Sequence, residues 1–344
     1  YNLTTNTESL WFGDGTDAHS TTSIKESQHI TFNSSGSNVY VANTSQGSAG
    51  VYRFFETAKI NADPSDNDGV LSGSITGGAG TGNWKVTKIM LDEPNNVLYS
   101  YETDGTLNLN NLYPGQGYEN STKRIRVHPI QNHGNQNGSA DVYNGVRYDG
   151  LGVIAYSDIY FKNDCFYALG DVRAYLGQRG LLKIPKTIIN YLTPPYYLKQ
   201  HTSALKDVSG NLQTPRTMEL DSSDNIYICF TGIPGLYKVA AGADREDTPT
   251  ELLSGTETKI LQGNGITVHP DGSIYVTCLT SRKIYKYKDG ETTHVAGDGT
   301  DATTNNSDPL QASFSEPSGL GISTYNDLMI CDQNGGLRVM GGYK

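Results

Sequence analysis

The stretch VAGDGTDATTNNSDPLQASFSEPSGLGISTYNDLMICDQNGGLRVM, Val295 to Met340, has a counterpart near the other end of the chain: LWFGDGTDAHSTTSIKESQHITFNSSGSNVYVAN, Leu10 to Asn43. Both set an apolar pair before Gly-Asp-Gly-Thr-Asp-Ala, then a polar stretch, then an apolar run that ends in a short strand pattern. Within the first, LMICDQNGGLRVM (328–340) reads as an apolar strand, a polar turn and a second strand. The same reading recurs from Val39 (VYVANTSQGSAGVYRF), Ile226 (IYICFTGIPGLYKV) and Ile274 (IYVTCLTSRKIYKY), and more loosely from Val97 and Cys165. The six starts are separated by roughly 50–70 residues, a period in the range of propeller blades.

Each well-formed copy is preceded by another apolar segment and a turn rich in Asp, Asn, Gly and Ser: HITFNSSGSN, TMELDSSDN, GITVHPDGS and GLGISTYND. Such turns are what tight hairpins require. A fourth, outer strand follows, as in TTHVAG (292–297). A sheet of four strands has two apolar faces and cannot bury both by itself; radial stacking of six sheets buries them all. The expected fold is therefore all-β: a single six-bladed β-propeller of four-stranded antiparallel blades. The blades fall at about 13–60, 75–130, 145–205, 212–254, 257–297 and 301–344. The last copy ends at LRVMGGYK without an outer strand, and ESLWFGDGT (8–16) aligns with TTHVAGDGT (292–300). Residues 1–12 are thus expected to complete the last blade and close the ring.

At these residues the chain resembles the NHL-repeat family. Ala312, Phe314, Pro317, Gly319, Leu320, Asp332 and Arg338 match that repeat, and GNGITVHPDGSIYVTCLTSRKIYKY (263–287) matches well. The resemblance implies a six-bladed propeller and leaves the activity open, because propellers of this type include binders and enzymes.

Composition narrows the classes. The chain has 344 residues, of which 18% are charged, with 39 glycines and 23 tyrosines. Its net charge of −10 argues against a general nucleic-acid binder, which needs a basic surface. STKRIRVHPI (121–130) alternates like a strand with a charged face, and no apolar run has the roughly 20 residues that span a bilayer. The chain begins at Tyr1 rather than Met and is rich in Asn, Ser, Thr and Tyr, which suggests an extracellular, secreted protein. Asn-X-Ser/Thr sequons at Asn2, Asn33, Asn43, Asn120, Asn137 and Asn305 permit glycosylation.

The residues bear on several chemistries. GNGITVHPDGSIYVT also resembles the gluconolactonase-like propellers, which hold a divalent cation such as calcium in the channel. Glu26 and Asn264 stand near two of the implied ligand positions, but Ser318 replaces the acid expected at the third. Channel zinc of the amidating-lyase kind needs converging histidines, and only His29 stands beside a first strand. Asp14, Asp17, Asp298 and Asp301, in the two Gly-rich loops, could share a hard cation or simply shape turns. DPSDNDG (63–69) is EF-hand-like only on the surface, since Pro64 takes the first ligand's place. The four cysteines fall in different repeats and read as small buried thiols, with a strained Cys229–Cys278 bridge as the other possibility. There is neither a nucleophile-elbow serine nor a phosphate loop.

The second-strand ends, Asn43, Tyr101, Leu169, Phe230, Cys278 and Asp332, should gather at one face of the ring. With Asn264 they form the expected channel mouth, where Asn43, Tyr101, Phe230, Asn264 and Asp332 would contact a ligand. The insertions at 113–145 and 185–212 would decorate a rim. The expectation is a non-enzymatic recognition or assembly module that contacts protein, glycan or other copies of itself without a cofactor. The alternative is a metal-dependent hydrolase, lactonase or lyase with its site in the channel. A redox module has no cofactor motif to support it.

Overall fold

The computed structural model describes residues 8–12, 27–35, 38–43, 50–55, 84–95, 97–104, 123–129, 155–171, 179–185, 214–231, 234–243, 249–253, 263–324, 326–334 and 336–341. Among these residues the secondary structure is strand, apart from two single-turn 3-10 segments.

Among the described residues, six antiparallel sheets follow one another along the chain. The first holds β2 (Ser27–Phe32), β3 (Asn38–Asn43) and β4 (Gly50–Phe55). The second holds β5 (Trp84–Asp92), β6 (Val97–Asp104) and β7 (Lys123–Pro129), and the third β8 (Ala155–Lys162), β9 (Cys165–Asp171) and β10 (Arg179–Pro185). The fourth is β11 (Thr214–Leu220), β12 (Ile226–Thr231), β13 (Tyr237–Val239) and β14 (Thr250–Glu251). The fifth is β15 (Gly263–Val268), β16 (Ile274–Cys278), β17 (Lys283–Lys288) and β18 (Glu291–Ala296). The sixth is β19 (Pro317–Ile322), β20 (Leu328–Asp332) and β21 (Gly336–Met340), to which β1 (Glu8–Phe12) adds on the outside. β1 runs antiparallel to β21, with Glu8 opposite Met340 and Leu10 opposite Arg338. It takes the place in the sixth sheet that β18 takes in the fifth. A fourth strand for the first three sheets would fall outside the described residues.

Local sequence explains the hairpins. Asp289 and Gly290, between β17 and β18, both have positive φ (50° and 88°), the two-residue turn that matches strand twist. Asn163 and Asp164 do the same between β8 and β9 (51° and 56°). In the second sheet the partner of β6 is β7, beyond residues 105–122, rather than the LNLNNL that directly follows.

Packing uses the two-residue period of strands. On β12, Ile226, Ile228 and Phe230 face the third sheet, in a cluster with Tyr167, Leu169 and Leu181. Their alternates Tyr227 and Cys229 face the fifth, with Ile266, Val276 and Cys278. Equivalent clusters join the fifth sheet to the sixth, the sixth to the first and the first to the second. Tyr99, Phe161 and Phe166 join the second to the third through edge and tilted ring contacts with centroids 4.9 Å apart. A fully buried side chain of this kind contributes about 1.5–3 kcal/mol. The first strands pack in turn, β2 on β5, β5 on β8, β8 on β11, β11 on β15 and β15 on β19, and β19 packs back on β2. All four cysteines are free thiols; burial pushes Cys331 up to about 12 and raises Cys229 further.

Candidate functional site

Every first strand slips register near its start. The slip leaves one residue over between each of these pairs: Ser27 and His29, Val86 and Lys88, Tyr156 and Asp158, Pro215 and Thr217, and Gly263 and Gly265. In β19 it falls between Pro317 and Leu320. A bulge turns its extra residue out of the ladder. The residues so placed are Gln28, Thr87, Ser157, Arg216, Asn264 and Ser318 with Gly319, at one level of six strands that pack side by side.

Three of them reach to the next sheet in the same direction. Arg216 Nε and Nη2 donate to Asn264 Oδ1 at 3.3 and 2.8 Å. Asn264 Nδ2 donates to the Pro317 carbonyl at 3.3 Å. Ser318 Oγ donates to the Ser27 carbonyl at 2.8 Å, joining residues 291 positions apart in sequence. Arg216 stays partly exposed, and burial of the remainder lowers its pKa.

The residues just past the bulges form a second level. Lys88 Nζ pairs with Asp158 Oδ2 at 3.0 Å and donates to the Met218 carbonyl at 3.1 Å. β5 and β11 are separated by β8, so Lys88 passes inside β8, in the space that the first strands enclose. Asp158 also accepts from Thr217 Oγ1 (3.0 Å), Met218 N (2.7 Å) and Ile159 N (2.8 Å), so both oxygens are engaged. Met218 and Leu220 face the core, and their alternates Thr217 and Glu219 face away from it. Tyr160 donates to Glu219, and burial raises the Glu219 carboxyl to about 7 against the pull of Lys88. His29 lies on β2, which packs against the β5 that carries Lys88; burial first, then Lys88, holds its pKa well below the usual value, and its Nδ1 is buried without a partner among the described residues.

The residues expected at the mouth stand one strand further out. Asn43, Phe230, Cys278 and Asp332 pair with Ser27, Pro215, Gly263 and Pro317, and Tyr101 and Leu169 pair with Lys88 and Asp158. The side chains of Tyr101, Leu169, Phe230, Cys278 and Asp332 are buried (2% exposed or less). Second-strand side chains lie between sheets, so these residues back the ring instead of lining it. Asp332 is tied to buried Arg338 at 3.2 Å and accepts from Glu316 N at 2.8 Å. Of the expected set, Asn264 alone is both at this level and partly exposed among the described side chains. Arg216, Lys88, Asp158 and Glu219 were not singled out from sequence; the signal available was polar residues on TPRTMEL and neighbouring first strands.

Asp14 and Asp17 lie outside the described residues. Asp298 accepts from Thr300 N (2.7 Å) and Ser313 Oγ (2.8 Å); burial pushes its pKa up, and these bonds together outweigh it and lower the pKa. Asp301 binds Arg282 Nη2 at 2.7 Å and Ser315 Oγ at 3.0 Å. Their oxygens hold the loop together, so the loop's own donors take the role proposed for a cation. Glu26 is outside the described residues. Asn264 Oδ1 already receives a guanidinium and Ser318 Oγ is spent on backbone carbonyls, so the implied divalent-cation set does not fit. Of the sequons, Asn33 binds Ser35 Oγ through Nδ2, Asn305 is exposed and accepts from Arg338, and Asn43 lies within β3. Asn2, Asn120 and Asn137 are outside the described residues.

The architecture is shared with solved structures of low sequence identity. The β-propeller domain of Cps50 (Swd1) from Myceliophteria thermophila superposes with a TM-score of 0.50 at 12% identity, over 92% of this chain and 97% of that one. The fold is propeller-like. An auxiliary nutrient binding protein from Bacteroides ovatus gives a TM-score of 0.59 at 13% identity, over 97% of this chain and 76% of that one. A gluconolactonase from Xanthomonas campestris gives 0.57 at 11% identity, over 97% and 89%. At these identities the likeness is one of fold. No family model matches the chain, and no curated protein matches it in sequence. No helix among the described residues is long and apolar enough to cross a membrane.

Proposed function

We propose that this chain is a six-bladed propeller of NHL type, closed by β1 on β21, that acts outside the cell as a non-catalytic recognition module. The ring is supported by six sheets whose first strands pack cyclically and by the Ser318–Ser27 bond across the chain ends. The ligand site is the ring of bulge residues, and the ligand is a small polar group borne by a glycan. Amide, hydroxyl and guanidinium side chains supply both donors and acceptors there, as hydroxyl-rich ligands require. A nutrient binding protein shares the fold, which is in keeping with this role.

The observation that carries the reading is the Arg216–Asn264 contact. It puts a guanidinium where the lactonase-like alternative needs a metal, and favours binding over metal-assisted hydrolysis. The test pairs a glycan array with a lactone and ester screen, each with and without added calcium or zinc. Glycan binding indifferent to metal is the expected result. Turnover that rises with metal and falls on Asn264→Ala moves the assignment to a hydrolase.

A further inference from the structure

Building on the recognition role assigned to the bulge ring, we propose that its ligand is a sugar acid, a carboxylate on a hydroxyl-rich body, anchored by Arg216. Arginine carries five N–H donors, and Asn264 Oδ1 engages two of the Arg216 nitrogens. The remaining donors form the planar fork that matches a carboxylate. Asn264 is itself fixed by its bond to Pro317, so the guanidinium plane is held before any ligand arrives. Gln28, at the same level on another strand and partly exposed, offers an amide to the body of the sugar, and Thr87, whose hydroxyl donates to the Tyr101 carbonyl at 3.2 Å, keeps acceptor capacity there.

The second level adds a cation beneath. Lys88 stands inside the ring, and its partner Asp158 has its charge spread over Lys88, Thr217 and two backbone N–H groups. The opposing acids are Glu316, within electrostatic reach of Arg216, and Glu219, near Lys88 and bonded to Tyr160. Glu219 titrates near 7, so part of its repulsion is lost at neutral pH. His29 is kept neutral by burial and by Lys88, and its Nδ1 is buried without a partner among the described residues. Protonation of Glu219 as pH falls through about 7 removes an acid that opposes an entering carboxylate. Binding therefore tightens as pH falls, until the sugar carboxyl itself is protonated.

Calorimetric titration of the full chain with D-galacturonate and with D-galactose tests this. Galacturonate should bind about tenfold tighter than galactose. The preference should be stronger at about pH 6 than at about pH 8, where Glu219, which titrates near 7, is charged and opposes the carboxylate. Arg216→Gln should remove it in a protein whose circular dichroism and Tm are retained, and Arg216→Lys should restore only part, because a lysine lacks the fork. Equal affinities for the two sugars, or a preference that survives Arg216→Gln, overturn the carboxylate anchor and leave the recognition role standing. If neither sugar binds, the anchor falls, and the recognition role falls with it only if the glycan array is silent too.

Discussion

Glu219 couples the channel to pH. Its carboxyl titrates near 7 in the folded chain and at about 4.3 in an unfolded one, so the folded state disfavours its charged form. The stability it contributes is complete below the unfolded value and is lost as pH rises through about 7. Glu219→Gln should leave stability unchanged near pH 4 and raise it by about 1–3 kcal/mol near pH 8, the upper end being discounted for partial exposure. Urea denaturation at the two pH values measures this; equal effects at both exclude it. Asp332 and Arg338 behave differently, since both are buried and paired. Arg338→Met leaves a buried carboxylate alone and should cost about 3–5 kcal/mol, whereas adding Asp332→Asn should recover much of it. Both residues were legible from the repeat. Lys88, Asp158 and Glu219 were not, because they lie in or beside the loosest copies and gain their meaning from one another across three sheets.

At the scale of the strand, the bulge is the feature that matters. The hairpins and the core-facing residues were readable from period-2 alternation and from turn residues such as Asp289-Gly290. The bulges were not, because an extra residue in one strand is visible only against its partner. Glycine marks the closest approach: a Cβ at Gly319 would meet the Gln28 carbonyl and the His29 Cα, and one at Gly265 the Ser318 carbonyl. Gly319→Ala must push two backbones apart and should cost at least about 1–3 kcal/mol. Guanidinium unfolding tests it, and a neutral substitution would mean the strands are further apart than described. Sequence placed the candidate mouth on second-strand ends, which pair with residues beside the bulges, yet their side chains turn between sheets and leave the bulge residues one strand inward.

At the scale of the molecule, β1 covers the outer edge of the last sheet. Deleting residues 1–12 should expose the β21 edge, lower Tm by roughly 5 °C or more and promote self-association, read by scanning calorimetry and light scattering. Chelators should leave the Tm of the intact chain unchanged; a chelator-dependent fall would revive the metal alternative. The strand-turn-strand copies from Val39, Ile226, Ile274 and Leu328, their turns and the likeness of the two chain ends were written in the sequence, whereas the partner of β6 was not, because it lies beyond residues 105–122. Which polar side chains meet was decided by tertiary structure alone. Arg216 reaches Asn264 and Lys88 reaches Met218 because the sheets pack their first strands side by side, and no local pattern records a contact made across that space.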